Sequence, residues 1–531
     1  MIVGGRMRRS VVGGRMRRSG LACVVAVIAG TFGLAGSGGA TSFPQRTFPV
    51  IAGASGASSA PAISSDGSTV AFDATAGGSA PTNVYSSNLL TGTTNLVSTG
   101  LGGAGANGAS SAPTVSSDGS VVAFASSATN LVSTPVGGAG DVYVRRAGGP
   151  ITLVSAGIGG PANGVSSEPA ISADGRYVAF ASTAANLVAG DTNGVSDVFV
   201  ADLTTGAITR VSVAHGGAQA NAASTGPAIS ADGTAVSFDS SATNLVAGDK
   251  NGVADVFVRV PSGDTTERVS VSTSGAEQNR AATTGFSEVS SLSANGRLVV
   301  FDSTATNLVH GEDPAARSNV FMRDRSRHTT TLVSESNDGY EGNNDSFAPF
   351  ITPSGLYVSF ESFAKNLAGG GGPQENVFVR DLTLRTTSVI DVAPNGSPPS
   401  KEAGELLERP TLSSTNGTIA TFVSSASNLT GNSSGLTQAF VRLLSPPRGK
   451  LVGKAPPAGP SGHPRVVVSA DDSHATLFEC RVDRQLPFTC RPGVLRLPSL
   501  SPGTHTLLVR AGGPGMLYDS RGLAITLRVT S

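Results

Sequence analysis

Between residues 46 and 444 apolar and polar positions alternate with a period of two, as in Tyr177–Ser182 (YVAFAS) and Asp197–Leu203 (DVFVADL). This period puts successive side chains on opposite faces of a strand, so the runs predict half-buried β-strands, and helical spacing is missing. One unit yields four strands, at Glu168–Ser172, Tyr177–Ser182, Asp197–Leu203 and Ile208–Val213. Asp174-Gly175 separates the first pair and Thr204-Thr205-Gly206 the last, where glycine accepts the positive φ of a tight hairpin.

The unit recurs. Its first turns fall at Asp66-Gly67, Asp118-Gly119, Asp174-Gly175, Asp232-Gly233, Asn295-Gly296, Ser354-Gly355 and Asn416-Gly417, 52 to 63 residues apart. Seven units of this size predict an all-β fold, a seven-bladed β-propeller over 46–444. The seventh unit has strands near Arg409–Ser413, Ile419–Ser424 and Gln438–Leu443, then meets Pro446-Pro447, which cannot continue a ladder. Thr47–Ile51 reads as its displaced fourth strand, because GASSAP follows it at 56–61 just as it follows the first unit's fourth strand at 108–113. Such a strand closes blade seven and removes open edges.

Pro169-Ala170-Ile171-Ser172-Ala173-Asp174-Gly175 through Val178-Ala179-Phe180 resembles the WD40-like (PD40) repeats of the TolB family, over about 400 residues. The resemblance implies a propeller and specifies no activity. The second proline of the family's Ser-Pro-Asp-Gly turn is Ser or Ala here.

Residues 445–464 are expected as a Pro/Gly linker. Strand-like runs at Arg465–Ser469, Thr476–Val482, His505–Arg510 and Ala524–Val529 predict a small β-sandwich over 465–531. Phe478-Glu479-Cys480, Phe488-Thr489-Cys490 and Gly503-Thr504-His505-Thr506 resemble the immunoglobulin- or fibronectin-III-like modules of bacterial surface proteins.

Residues 1–45 read as a signal peptide and short leader: Arg15, Arg17 and Arg18 precede the apolar run Leu21–Leu34, and small residues follow. The run is shorter than the roughly 18–20 residues of a bilayer span, so no stable membrane span is expected after its removal. The octet VGGRMRRS occurs at 3–10 and 12–19, leaving Met1 or Met16 as the start. A secreted or extracytoplasmic location, at the cell surface or in the periplasm, makes Cys480 and Cys490 a disulfide in preference to a metal site.

Charge adds exclusions. Lys and Arg total 37 against 37 Asp and Glu, so the chain is formally neutral and no nucleic-acid partner is expected. Trp is absent, which disfavours a sugar-stacking platform.

The long connections between strands two and three, and between successive units, share one face, where binding residues are expected. Two of them read D-x-N-G-x-x-D: Asp191, Asn193 and Asp197, then Asp249, Asn251 and Asp255. Oxygen ligands around a glycine turn make these candidate calcium ligands. A side-chain-to-backbone turn is the alternative, since Asn83, Asp141, Asn319 and Asn376 recur at the Asp197 position. Asn107, Asn163, Asn221, Asn279 and Asn343, with Asn130, Asn186, Asn244, Asn307, Asn366 and Asn428, form either a ring of amides for a polar ligand or a set of loop-bracing groups.

Catalytic signatures are weak. Gly431–Gly435 spells G-x-S-x-G without a strand-to-helix elbow, and Gly100, Gly102 and Gly105 spell G-x-G-x-x-G without a following helix. Acidic residues (Glu312, Asp313, Glu341, Asp345, Glu402, Glu405) gather in units five to seven, and six histidines are scattered. No catalytic or cofactor-binding residue is assigned. The expectation is an exported, monomeric, non-enzymatic scaffold binding a protein or cell-envelope partner through its long-loop face. The alternative is an extracellular hydrolase or lyase acting from that face with calcium support.

Overall fold

The computed structural model describes residues 47–50, 56–75, 80–89, 91–280, 290–309, 317–368, 374–393, 396–400, 409–413, 419–429, 436–444, 449–451, 459–460, 465–470, 477–485, 488–490, 493–497, 500–512 and 523–530. The signal-like segment, His310, Glu312, Asp313, Glu402, Glu405 and the Gly431–Gly435 motif lie outside them.

Strands form where the two-residue period is strongest. The third unit holds Ser166–Ile171, Tyr177–Ser182, Asp197–Asp202 and Ala207–Arg210 as one antiparallel sheet in chain order. Seven such four-stranded sheets occur among the described residues. In the seventh, Thr47–Pro49 takes the outer place beside Gln438–Leu443, pairing Phe48 with Val441. No helix among the described residues is long and apolar enough to cross a membrane.

Consecutive sheets pack face to face and the series closes on itself, which makes this part of the chain a β-propeller. Val121 and Val142 of the second sheet share a core with Phe180 and Phe199 of the third. Val70 and Phe72 of the first share one with Ala439 and Val441 of the seventh. An aromatic pair spans the second and third strands of each sheet, as in Phe180–Phe199 and Phe422–Phe440, with ring centroids 5.8 Å apart. Such offset pairs add to simple area burial.

The first turns do more than reverse the chain. Gly175 N–H donates to Ser172 C=O (2.9 Å), while the Asp174 carboxylate accepts from Ser172 Oγ and from Arg176 N–H. Turn also bonds to turn: Asp66 N–H reaches Ser117 C=O, Ser117 N–H reaches Ala173 C=O, and Ala173 N–H reaches Ala231 C=O. Glycine is required twice over at Gly233: its φ is +72°, and a Cβ there would sit 2.3 Å from the Tyr177 ring of the preceding sheet.

An unforeseen arginine recurs on the third strands. Arg145, Arg323, Arg380 and Arg442 each extend Nη1 to a backbone carbonyl at the end of the preceding sheet, namely Leu96, Ser272, Glu335 and Val392. An arginine at the fifth position of the third strand (DVYVR, NVFMR, NVFVR, QAFVR) was visible in the sequence, but its direction was not.

Beyond residue 448, a three-stranded sheet (Gly449–Leu451, Arg465–Ala470, Gly493–Arg496) and a five-stranded sheet (Gly459–Pro460, Leu477–Val482, Phe488–Cys490, Gly503–Gly512, Leu523–Thr530) contribute to one core. Two of these strands fall within 445–464, the stretch expected as a linker, because their backbones find ladder partners at Arg465–Ala470 and Leu523–Thr530. Cys480 and Cys490 are disulfide-bonded across paired strands, with Cα atoms 5.9 Å apart.

Candidate functional site

Two concavities and one set of loops are candidates. The first concavity is the channel on the ring axis, a cavity of about 280 Å³. Each sheet's first strand faces it, and five first strands carry a register shift there. The shifted residue lies just before a proline and has positive φ: Ala60 (44°), Ala112 (49°), Glu168 (54°), Gly226 (61°) and Ala348 (51°). Non-glycine residues rarely adopt this conformation, and such strain concentrates at functional sites. Ala60, Ala112 and Arg409 line the cavity at this end, and Ser117, Ala173 and Ala231 at the short-turn end.

The second concavity, about 750 Å³, lies where the first and second sheets meet and is lined by Leu101, Leu131, Pro135 and Ile151. Leu101 and Ile158 at neighbouring loop tips are 66% and 62% exposed. The third unit's equivalent tip is His215, whose Nδ1 lies 2.7 Å from Asp264 C=O. Leu101 and Ile158 thus form one adjacent apolar pair, while Tyr340, 71% exposed in the equivalent hairpin after the fifth sheet, stands apart from them.

The D-x-N-G loops bring their predicted residues together around an arginine. Arg210 Nη1 lies 2.9 Å from Asp191 Oδ1 and 3.3 Å from Asp197 Oδ2. Asn193 Nδ2 donates to the same Asp197 oxygen (2.8 Å), and Ser212 Oγ donates to the other. In the fourth sheet Arg268 meets Asp249 at 3.0 Å and Asp255 at 3.2 Å, while Asn251 Nδ2 donates to Asp255. Burial pushes the Asp191 and Asp249 carboxyls up, and the neighbouring guanidinium offsets this only in part. A cation at either loop would share the carboxylates with an internal positive charge. Among the described residues, no group of three or more His, Cys, Asp or Glu side chains is arranged to hold a metal ion.

The recurring Asx before each third strand has a partner of its own. Asn83, Asp141, Asp197, Asp255 and Asn319 each accept from a serine hydroxyl fourteen or fifteen residues on, Ser98, Ser155, Ser212, Ser270 and Ser334. The loop asparagines pair too. Asn107 N–H donates to Asn130 Oδ1 and Thr129 N–H donates to Asn107 Oδ1, an exchange repeated for Asn221 with Asn244 and Asn343 with Asn366. These amides brace the loops from within. Of the acidic group, Glu341 accepts from Asn319 Nδ2 and Asp345 from Ser318 N–H. Gly100 and Gly105 belong to a small hairpin closed by a Thr99–Gly105 bridge, with no phosphate-presenting helix.

The groups that sequence reasoning missed lie on the second strands of the fourth and fifth sheets, toward their long-loop ends. Asp239 and Asp302 are buried carboxyls beside Glu168 and Arg409. Burial holds Asp239 well above the usual carboxylate range and pushes Asp302 up to about 7. The signal available was an Asp or Glu at one fixed position of the second strand, as in VSFDS, VVFDS and VSFES, where other units carry Ala or Val.

No family model matches the chain, and no curated protein matches it in sequence. Solved structures do. The chain is similar to TolB from Acinetobacter baumannii at 17% identity and a TM-score of 0.32, over 52% of this chain and 53% of that one, so it spans about half of that protein's length. It is similar to an oligogalacturonate lyase in complex with manganese at 13% identity and a TM-score of 0.47, over 75% of this chain and 93% of that one. It is also similar to the β-propeller domain of the Trilobed protease from Pyrococcus furiosus at 11% identity and a TM-score of 0.41, over 73% and 93% of the two chains.

Proposed function

We propose that the chain is an exported, non-enzymatic binding scaffold: a seven-bladed TolB-like β-propeller over 46–444 and an immunoglobulin- or fibronectin-III-like module over 465–531, directed outward by residues 1–45. Its long-loop face engages a protein or cell-envelope partner. The carrying observation is the internal bracing of the described loops on that face combined with an exposed apolar pair between the first and second sheets. Paired asparagines and buried Arg–Asp clusters hold the loops, while Leu101 and Ile158 stand exposed beside the 750 Å³ pocket. A pre-ordered face with an apolar sector loses little entropy on binding. Affinity capture from a cell-envelope extract with the full chain tests this, with the Leu101→Asp/Ile158→Asp double variant as control. A partner identified on the wild type, lost on the variant and rebinding in purified form supports the reading. Equal capture by both overturns it.

An extracellular hydrolase or lyase is the second reading, favoured by Asp302, whose carboxyl at about 7 suits general acid–base chemistry. Turnover of polysaccharide or ester substrates that disappears in Asp302→Asn would establish it. Calcium support would require the ion to compete with Arg210 or Arg268 for the paired aspartates.

A further inference from the structure

The pocket between the first and second sheets holds a charge that its surroundings do not balance. Its walls are aliphatic, with Leu101, Leu131, Val132, Ile151 and Leu153 among them, and Arg145 is the one charged residue of the lining among the described residues. Arg145 is half-buried at the fifth position of its strand. Its Nη1 donates to Leu96 C=O (2.8 Å), Val97 C=O (2.9 Å) and Thr99 Oγ1 (2.8 Å), and its Nε donates to Gly149 C=O (3.2 Å). All four acceptors are neutral, and Nη2 has no partner among the described residues.

Arginines at the same strand position elsewhere have acids close by. Arg380 Nη2 donates to Glu335, and Arg259 Nη2 pairs with Asp264. Glu267 and Asp324 lie within electrostatic reach of Arg323, as Asp391 does of Arg442. Comparison with Arg380 locates the acid that Arg145 lacks. Leu96-Val97-Ser98-Thr99 corresponds to Leu332-Val333-Ser334-Glu335, and each last residue opens a small hairpin, bridged from Thr99 to Gly105 and from Glu335 to Glu341. Thr99 thus stands where Glu335 stands, and a hydroxyl replaces a carboxylate. A guanidinium beside apolar walls without a counter-charge attracts an anion strongly, because little water competes for it.

We propose that this pocket binds an aliphatic carboxylate, its hydrocarbon chain against Leu101, Leu131, Ile151 and Leu153 and its head group on Nη2 of Arg145. The volume, about 750 Å³, suits a small ligand. Burial of the chain supplies affinity, and the guanidinium selects the sign of the head group. A peptide backbone fits less well, since the carbonyls of Leu96, Val97 and Gly149 already accept from Arg145 and aliphatic walls leave amides unpaired. The inference rests on the long-loop face being a recognition face and adds the chemistry that one sector of it selects.

Calorimetry with the full chain near neutral pH tests this. The probes are decanoate, decan-1-ol and a short peptide ending in leucine with a free carboxylate. We expect decanoate to bind about tenfold more tightly than decan-1-ol, as a charge-assisted hydrogen bond provides. Thr99→Glu gives Arg145 the carboxylate that Glu335 gives Arg380, and should erase that preference. Arg145→Met, which keeps the pocket apolar, should erase it too, and Thr99→Glu carries the test if Arg145→Met does not fold. Failure of decanoate to bind at millimolar concentration overturns the inference. So does equal binding of decanoate and decan-1-ol, a preference that survives Thr99→Glu, or tighter binding of the peptide than of decanoate. Partner capture that persists when decanoate fails leaves the scaffold reading standing. Decanoate binding beside equal capture by the wild type and Leu101→Asp/Ile158→Asp removes the scaffold reading and keeps this site.

Discussion

The two ends of the channel are built on opposite rules. At the short-turn end the described units largely repeat one solution: a serine or threonine, a turn residue and a glycine, with turn bonded to turn around the ring. At the long-loop end the equivalent positions differ: Ala60, Ala112, Glu168, Gly226, Ala348 and Arg409 before the prolines, and Asp, Ala, Asp, Glu or Val on the second strands. Uniformity marks what the ring needs in order to close. Variation marks where a unit is relieved of that duty and can carry individual chemistry.

The largest expected effect tests whether the long-loop face is held from within. Arg210→Ala leaves Asp191 and Asp197 buried without their cation, and should cost about 3 kcal/mol in a denaturant titration. A cost near zero would mean that another cation holds those carboxylates.

Next comes the short-turn end. Gly233→Ala combines a positive φ with overlap on Tyr177 and should cost about 2 kcal/mol. Gly206→Ala has a similar φ (+74°) but open space around the new Cβ, so about 1 kcal/mol is expected. Equal losses at the two sites would remove the argument that turn glycines also seat neighbouring sheets.

A smaller effect is pH-dependent. Burial raises the folded-state pKa of Asp302 to about 7, against roughly 3.9 in an unfolded chain, so the native state holds the proton more tightly. That stabilisation is complete below about pH 4 and is lost as pH rises toward about 7. The melting temperature should fall across this window. Asp302→Asn should flatten part of the fall, and Asp391, pushed up to about 7 by the same cause, together with Asp239, also raised by burial, should retain the rest.

The smallest effect is calcium. Millimolar calcium should leave the melting temperature unchanged, because Arg210 and Arg268 already meet the paired aspartates. A rise that disappears in Asp191→Asn/Asp249→Asn would make those loops cation sites and extend the long-loop chemistry beyond the channel.

Much of the fold was legible because its causes are local. Period-two alternation located the strands to within a few residues, as at Tyr177–Ser182, and Asp-Gly located the hairpins. The GASSAP repeat indicated that Thr47–Ile51 continues a unit begun at the other end of the chain, and Thr47–Pro49 does pair with Gln438–Leu443. The site was less legible. D-x-N-G-x-x-D reads as oxygen ligands when Arg210 is thirteen residues beyond Asp197, and only the fourth strand's return brings the guanidinium back to it. The loop asparagines likewise look like a ligand ring until Asn107 and Asn130, from different connections, are seen to bond each other.

The sequence by itself determined the strands, the hairpins, the repeat and the cysteine pair, since each depends on neighbours within a few residues or on a period. Only the tertiary structure decided which charges meet. Glu168, Asp239, Asp302 and Arg409 come from four different units, and nothing local links them. They come within electrostatic reach of Asp239 because ring closure packs each sheet against the next around a common axis. There, low water access converts scattered surface-type residues into an interacting group.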